Sequence, residues 1–140
     1  MRSRHLSLVQ FSTTPNSDVS STACSFAQIR RTDGLWYWAE YSTFSISDEI
    51  GKYQLTVAGY CGDAGDAIAM VRNIWKSRGR QFSTLDSDND ICTCNCAVEY
   101  SSGWWYARCA TSDINRPLGT WTTESALADV QDSRMLVKFN

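Results

Sequence analysis

Four of the six cysteines, Cys92, Cys94, Cys96 and Cys109, crowd into one short stretch, and the acidic run Asp86-Ser-Asp-Asn-Asp90 stands just before them. Secondary structure alone does not order a loop of this kind, so something else has to. Three carboxylates on one short turn repel one another unless a cation sits among them, and calcium suits hard oxygen ligands arranged that way. The helix-loop-helix calcium pattern does not fit, because it wants Gly where Ile91 stands and Glu where Ala97 stands. A solvated acidic turn is the plainer alternative, since Asp and Asn are common turn residues. The thiols also admit two chemistries. A four-thiolate zinc or copper site prefers paired ligands with a second pair further on, whereas three of these thiols stand at every second residue. A disulfide from Cys96 or a neighbour to Cys109 is the simpler reading.

The rest of the chain narrows the function classes. Its 140 residues suit one domain, and a net charge of −2 lacks the basic footprint that nucleic-acid binding needs. No run approaches the roughly 18 apolar residues of a membrane span, and the start MRSRHLSLVQFSTTPNS carries no convincing signal peptide. The single histidine is His5, near the start, so schemes with imidazole as general base find no base in the body of the chain. A protein that is not an enzyme is expected.

Residues 1–34 run through Ser/Thr-rich text and read as an irregular leader, with the folded part spanning 35–140. In Lys52–Val57, Tyr53, Leu55 and Val57 share one face, the period-2 mark of a strand. From Asp66 as N-cap, Ile68, Val71 and Trp75 share one helical face and predict a short helix. Strands are expected at Ala97–Tyr100 and Met135–Phe139, with a helical turn between Trp121 and Val130. Gly103-Trp104-Trp105-Tyr106 sets three aromatics in a row, and at least one of the two tryptophans should face away from the core.

Taken in order, Tyr41-Ser-Thr-Phe-Ser-Ile-Ser-Asp-Glu49, KYQLTVAGY with GDAGDA, FSTLDSDND, NCAV, GWWYARC and SDIN resemble the fibrinogen C-terminal domain, the family of fibrinogen chains, ficolins, tachylectins and tenascins. The resemblance covers residues 35–140, the later part of that domain. The family's opening section, with its Gly-Gly-Trp motif, has no counterpart, so a domain truncated on its N-terminal side is expected. The resemblance implies an α+β fold: a short antiparallel sheet, a few short helices and long loops ordered by calcium and disulfides. It implies a calcium ion held by the side chains of Asp88 and Asp90 and the carbonyls of Cys92 and Cys94, with Asp86 a neighbour only. It also implies a disulfide between Cys96 and Cys109, and leaves a second one open, from Cys61 to Cys92 or Cys94.

By the same resemblance, a pocket for acetylated groups would lie at Tyr100, Trp105, Cys109 and Ala110. An acetyl methyl needs an aromatic wall and its carbonyl needs backbone N–H donors. The chain departs from the family at Ala110, where a histidine is usual, at Arg116-Pro117-Leu118 in place of a glycine-centred turn, and in a short segment before Met135. The implied function is a secreted, calcium-stabilised recognition module with lectin-like binding of glycans or acetylated groups, as in invertebrate defence lectins of innate immunity. The alternatives are an adhesion or assembly module that binds an extracellular protein, or an incomplete fragment with no independent activity.

Overall fold

A computed structural model of the protein describes residues 9–11, 23–70, 74–123 and 127–139. Among the described residues, seven strands form one sheet: β1 (Val9–Phe11), β2 (Ala23–Arg31), β3 (Trp36–Ile46), β4 (Leu55–Gly62), β5 (Ser112–Asp113), β6 (Gly119–Thr122) and β7 (Leu127–Phe139). The order is β4-β3-β2-β7-β6-β5, antiparallel throughout, with β1 added in parallel to β7. The long β7 carries two neighbours on one edge, β6 along Leu127–Val130 and β1 along Met135–Val137.

Within the stretch 1–34 expected as an irregular leader, Val9–Phe11 and Ala23–Arg31 are the strands β1 and β2, and β2 lies between β3 and β7. Ser25, Ala27 and Ile29 point inward and are buried, while Phe26, Gln28 and Arg30 lie half-buried on the other face. Phe26 stacks on Trp38 there, with ring centroids 6.1 Å apart, and Arg30 pairs with Asp132 across to β7. In β3 the inward set runs Ala39, Tyr41 and then Phe44. A register shift opposite Ala23–Ser25 inserts one extra residue there, which moves the buried side by one position.

The inward face of the sheet packs against loops that side chains lace to it. Tyr41 donates its hydroxyl to Asp66 at 3.0 Å, Trp121 donates Nε1 to the Gly65 carbonyl at 2.9 Å, and Thr111 donates to the Ala67 carbonyl at 2.7 Å. Burial together with Asp66 pushes the Tyr41 hydroxyl pKa far up. Gly62 ends β4 with a φ of 147°, and a Cβ there would stand 2.3 Å from the Trp38 carbonyl oxygen, so the chain needs glycine to turn away beneath β3.

Several expectations are corrected. The helix predicted from Asp66 is not formed in the described residues of that stretch, since Ala67, Ile68, Ala69 and Met70 are all buried, which no one-faced helix allows. Residues 71–73 lie outside the described ones. The strand expected from Lys52 begins only at Leu55, because Lys52 and Tyr53 form a left-handed turn with φ of 55° and 54°. Ala97–Tyr100 is helical, as α1 (Cys96–Tyr100). Between Trp121 and Val130 the described residues end β6 and begin β7 rather than making a helical turn. The closing strand expected at Met135–Phe139 is the end of β7. With α1 the single α-helix among the described residues, the fold is mostly strand, and the few short helices of the expected α+β class reduce there to α1. No helix among the described residues is long and apolar enough to cross a membrane.

Candidate functional site

The acidic turn is built on a short bridge in which Ser83 and Trp104 exchange backbone hydrogen bonds of 3.0 and 3.2 Å. Thr84 and Ser87 close the turn with a second pair. The Thr84 hydroxyl donates to Asp86 at 2.7 Å and holds its carboxyl below the ordinary value, which ties Asp86 to the start of the turn. Asn89 donates its side-chain amide to the Phe82 carbonyl at 2.8 Å and anchors the far side. Asp88 accepts from the Asp90 N–H at 3.2 Å.

Asp90 organises the cysteine-rich segment. Its Oδ1 accepts from the Cys92 N–H at 2.8 Å and its Oδ2 from the Cys96 N–H at 3.0 Å, so the backbone from Cys92 to Cys96 wraps around one carboxylate. Partial burial raises the Asp90 carboxyl pKa, those two N–H bonds oppose the rise, and the neighbouring Asp88 charge adds to it. Among the described residues, the carbonyls of Cys92 and Cys94 accept no backbone hydrogen bond.

The wrap brings four sulfurs together, all within 4.8 Å of one another. Cys96 is disulfide-bonded to Cys109, with Cα atoms 5.2 Å apart. Cys92 is bonded to Cys94, so the pairing with Cys61 left open by the sequence does not form. Cys94 Sγ lies 4.0 Å from the sulfurs of both Cys96 and Cys109. Helix α1 starts within this cluster, with the Asn95 side chain accepting from the Val98 N–H at 3.0 Å, and it ends at Ser101 in a left-handed conformation.

The aromatic run alternates. Trp104 and Tyr106 are buried, while Trp105 is half-buried. Trp104 donates Nε1 to Ser77 at 2.9 Å. Tyr106 donates its hydroxyl to buried Asp113, which also accepts from the Ser102 hydroxyl and the Asn115 N–H, each at 3.1 Å. Burial raises the Asp113 carboxyl pKa, and those bonds oppose the rise. Tyr100 lies alongside Tyr106 with ring centroids 6.3 Å apart, and Arg116 sits 4.6 Å over its ring. Cys109 takes a left-handed φ of 63°, and its carbonyl accepts from the Ala107 N–H at 2.7 Å.

Trp105 points another way. Its Nε1 donates to the Tyr53 carbonyl at 2.8 Å, and its ring meets Phe82, Trp104 and Phe44 edge-on. It lines an apolar cavity of about 310 Å³ with Phe44, Ile46, Tyr53, Phe82 and Ile114, among others. Tyr100, Cys109 and Ala110 do not line this cavity. Of the four residues expected to share one pocket, Trp105 lines this cavity, Tyr100 packs beside Tyr106 and Cys109 lies among the sulfurs. Sequence reasoning missed the cavity, because the left-handed positions beside it, Lys52 and Tyr53, are not glycines.

A family model for the C-terminal globular domain of the fibrinogen beta and gamma chains matches residues 15–129. The protein belongs to the fibrinogen C-terminal domain family. Among its relatives is the protein scabrous of Drosophila melanogaster, 37% identical over 123 residues that make 82% of this chain and 14% of the relative. Human angiopoietin-4 is 41% identical over 83 residues, 59% of this chain and 16% of that protein. The solved fibrinogen-like globe domain of human ANGPTL2 superposes with a TM-score of 0.71 at 27% identity, over 84% of this chain and 58% of that one. Lamprey fibrin D-dimer, solved in complex with the peptide ligand Gly-His-Arg-Pro-amide, gives 0.60 at 27% identity, over 67% of this chain and 32% of that one. The chain spans well under a third of these curated relatives and about three fifths of the ANGPTL2 globe. The sheet is the fibrinogen C-terminal-like sheet, and the family match begins ahead of Leu35, as does β2.

Proposed function

We propose that this chain is a calcium-stabilised extracellular recognition module, non-catalytic, that binds acetylated groups such as those on glycans. The observation that carries the reading is the Asp90 carboxylate, raised in pKa by burial beside Asp88 and wrapped by the backbone to Cys96. Two carboxylates crowded on one turn are relieved by a divalent cation, and calcium takes carboxylate and carbonyl oxygens in flexible geometry. The residues fit such an ion: the side chains of Asp88 and Asp90 and the carbonyls of Cys92 and Cys94, which accept no backbone hydrogen bond among the described residues. Calcium would fix the loop and leave the ligand to its neighbours.

The acetyl group would meet the Tyr100 ring as its apolar wall and the Cys109–Ala110 backbone as donor. Supporting this are the left-handed Cys109, which re-aims that backbone, and the Cys96–Cys109 bond, which ties it to the wrapped loop. Trp105 would contribute from the cavity side, as a wall for an apolar extension of the ligand rather than for the acetyl methyl itself.

A second reading keeps the fold and the calcium but takes a protein segment as ligand. Ala110 in the place of the family's usual histidine favours it, and so does the peptide held by lamprey fibrin D-dimer. One experiment separates the two: passage of the calcium-loaded protein over an immobilised N-acetylated sugar. Retention with elution by the free sugar supports the first reading. Flow-through by protein shown to hold calcium overturns it in favour of the second.

A further inference from the structure

The cluster of four sulfurs carries chemistry that neither calcium binding nor ligand recognition uses. Two disulfides lie side by side, and Cys94 Sγ stands 4.0 Å from each sulfur of the bond it does not belong to. That is close to van der Waals contact between sulfurs, so a thiolate released at Cys94 needs little movement to attack either one. Cys92, Cys94 and Cys109 are only half-buried, whereas Cys96 is fully buried, so a small thiol reaches the Cys92–Cys94 bond from solvent. Both bonds also hang on one carboxylate, because Asp90 holds the N–H groups of Cys92 and Cys96 and keeps the sulfurs in register.

We propose that this cluster is a thiol–disulfide exchange site, in which reduction by a dithiol moves the surviving cross-link from Cys96–Cys109 to Cys94–Cys109. The thiolate of the dithiol attacks Cys92 Sγ, forms a mixed disulfide there and expels Cys94 as thiolate. Cys94 attacks Cys109 Sγ, the Cys94–Cys109 bond forms, and Cys96 leaves as a thiolate that takes up a proton. The second thiol of the dithiol cleaves the mixed disulfide and leaves as a cyclic disulfide, freeing Cys92 as a thiol. Two electrons pass from the dithiol to the protein, and two disulfides become one disulfide and two thiols. Attack at Cys109 rather than Cys96 keeps a cross-link between the acidic turn and the aromatic segment, so the loop-closure entropy that the native bond removes from the unfolded chain stays removed. The module would thus answer a reducing partner by shifting its tether along the acidic loop, without opening it.

The test is disulfide mapping of the whole protein after brief exposure to one molar equivalent of reduced dithiothreitol, with Cys61 blocked beforehand by N-ethylmaleimide. Iodoacetamide then traps free thiols, and electron-transfer fragmentation of the unreduced peptides locates each bond. The expected result is a Cys94–Cys109 bond with Cys92 and Cys96 alkylated. An intact Cys96–Cys109 bond with Cys92 and Cys94 both alkylated overturns the proposal. The variant Cys92→Ser reads the same exchange without a reductant, because three cysteines then share one bond. Cys94–Cys109 with Cys96 alkylated is expected to predominate, and Cys94 alkylated throughout contradicts the proposal.

Discussion

Asp113 accepts three hydrogen bonds in the core, and its replacement tests how far they support the aromatic segment. It is 2% exposed and accepts from the hydroxyls of Tyr106 and Ser102, themselves 1% and 5% exposed, and from the Asn115 N–H. Asp113→Ala strands the two buried hydroxyl donors away from water, while the Asn115 N–H is only part-buried. Each unsatisfied buried donor costs about 1–3 kcal/mol, so even the low end sums to about 2 kcal/mol. Unfolding entropy of about 2.1 cal/mol/K per residue gives about 0.3 kcal/mol/K for a chain this long, so the midpoint should fall by about 7 °C. Asp113→Asn keeps one acceptor oxygen in the same shape and should lose only about 1 kcal/mol, or roughly 3–4 °C. The carboxyl pKa is raised by burial above its ordinary 3.8. Its contribution to stability is therefore full below that value and lost as pH rises through the raised one. The advantage of wild type over Asp113→Asn should accordingly shrink as pH rises through that window. The assay is thermal unfolding by circular dichroism on the three proteins, stepped upward in pH from about 3.5. Equal midpoints for Asp113→Ala and wild type would refute the reasoning.

Three smaller changes probe the loop around the sulfurs. Asn95→Ala removes the N-cap of α1 and should lower stability by about 1 kcal/mol in denaturant unfolding, with the slope unchanged. Ser101→Gly relieves a left-handed residue at φ 52° and should raise the midpoint by about 2–3 °C, the gain of about 1–2 kcal/mol being partly offset by the freer unfolded chain. Asp90 has its carboxyl raised, so the calcium-free protein should lose stability as pH climbs from the ordinary 3.8 through that raised value. The rise in midpoint brought by saturating calcium should grow across the same range, and a rise that is flat with pH would count against the Asp90 assignment.

The sequence carries the motifs of the site more legibly than the frame that holds them. The run FSTLDSDND and the cysteines after it can be read because their chemistry is local: Thr84, Asp86, Asn89 and Asp90 make bonds within a few residues. Strand β2 is hidden because its inward residues are Ser25, Ala27 and Ile29, while its outward face carries Phe26, which stacks on Trp38. The buried Ser25 and the outward Phe26 blur the usual apolar-in alternation. Residues 66–70 have helical spacing, but Ala67 through Met70 are all buried, so tertiary contacts set their conformation. Helix α1 reads as a strand by its apolar residues, although Asn95, a good N-cap, stands directly before it. The separation of Trp105 from Tyr100 follows from the alternation of an extended Trp104-Trp105-Tyr106 run, in which both neighbours of Trp105 are buried. The Cys92–Cys94 bond depends on how Asp90 folds the backbone back, and spacing does not encode that.

Calcium at the wrapped loop is the step on which recognition rests, and isothermal titration of calcium into the wild-type protein and into Asp88→Ala/Asp90→Ala measures it directly. The expected result is one calcium per molecule in the wild type and none in the double variant, with both proteins folded by circular dichroism. Wild-type heat indistinguishable from dilution, or equal binding by a folded double variant, would contradict it.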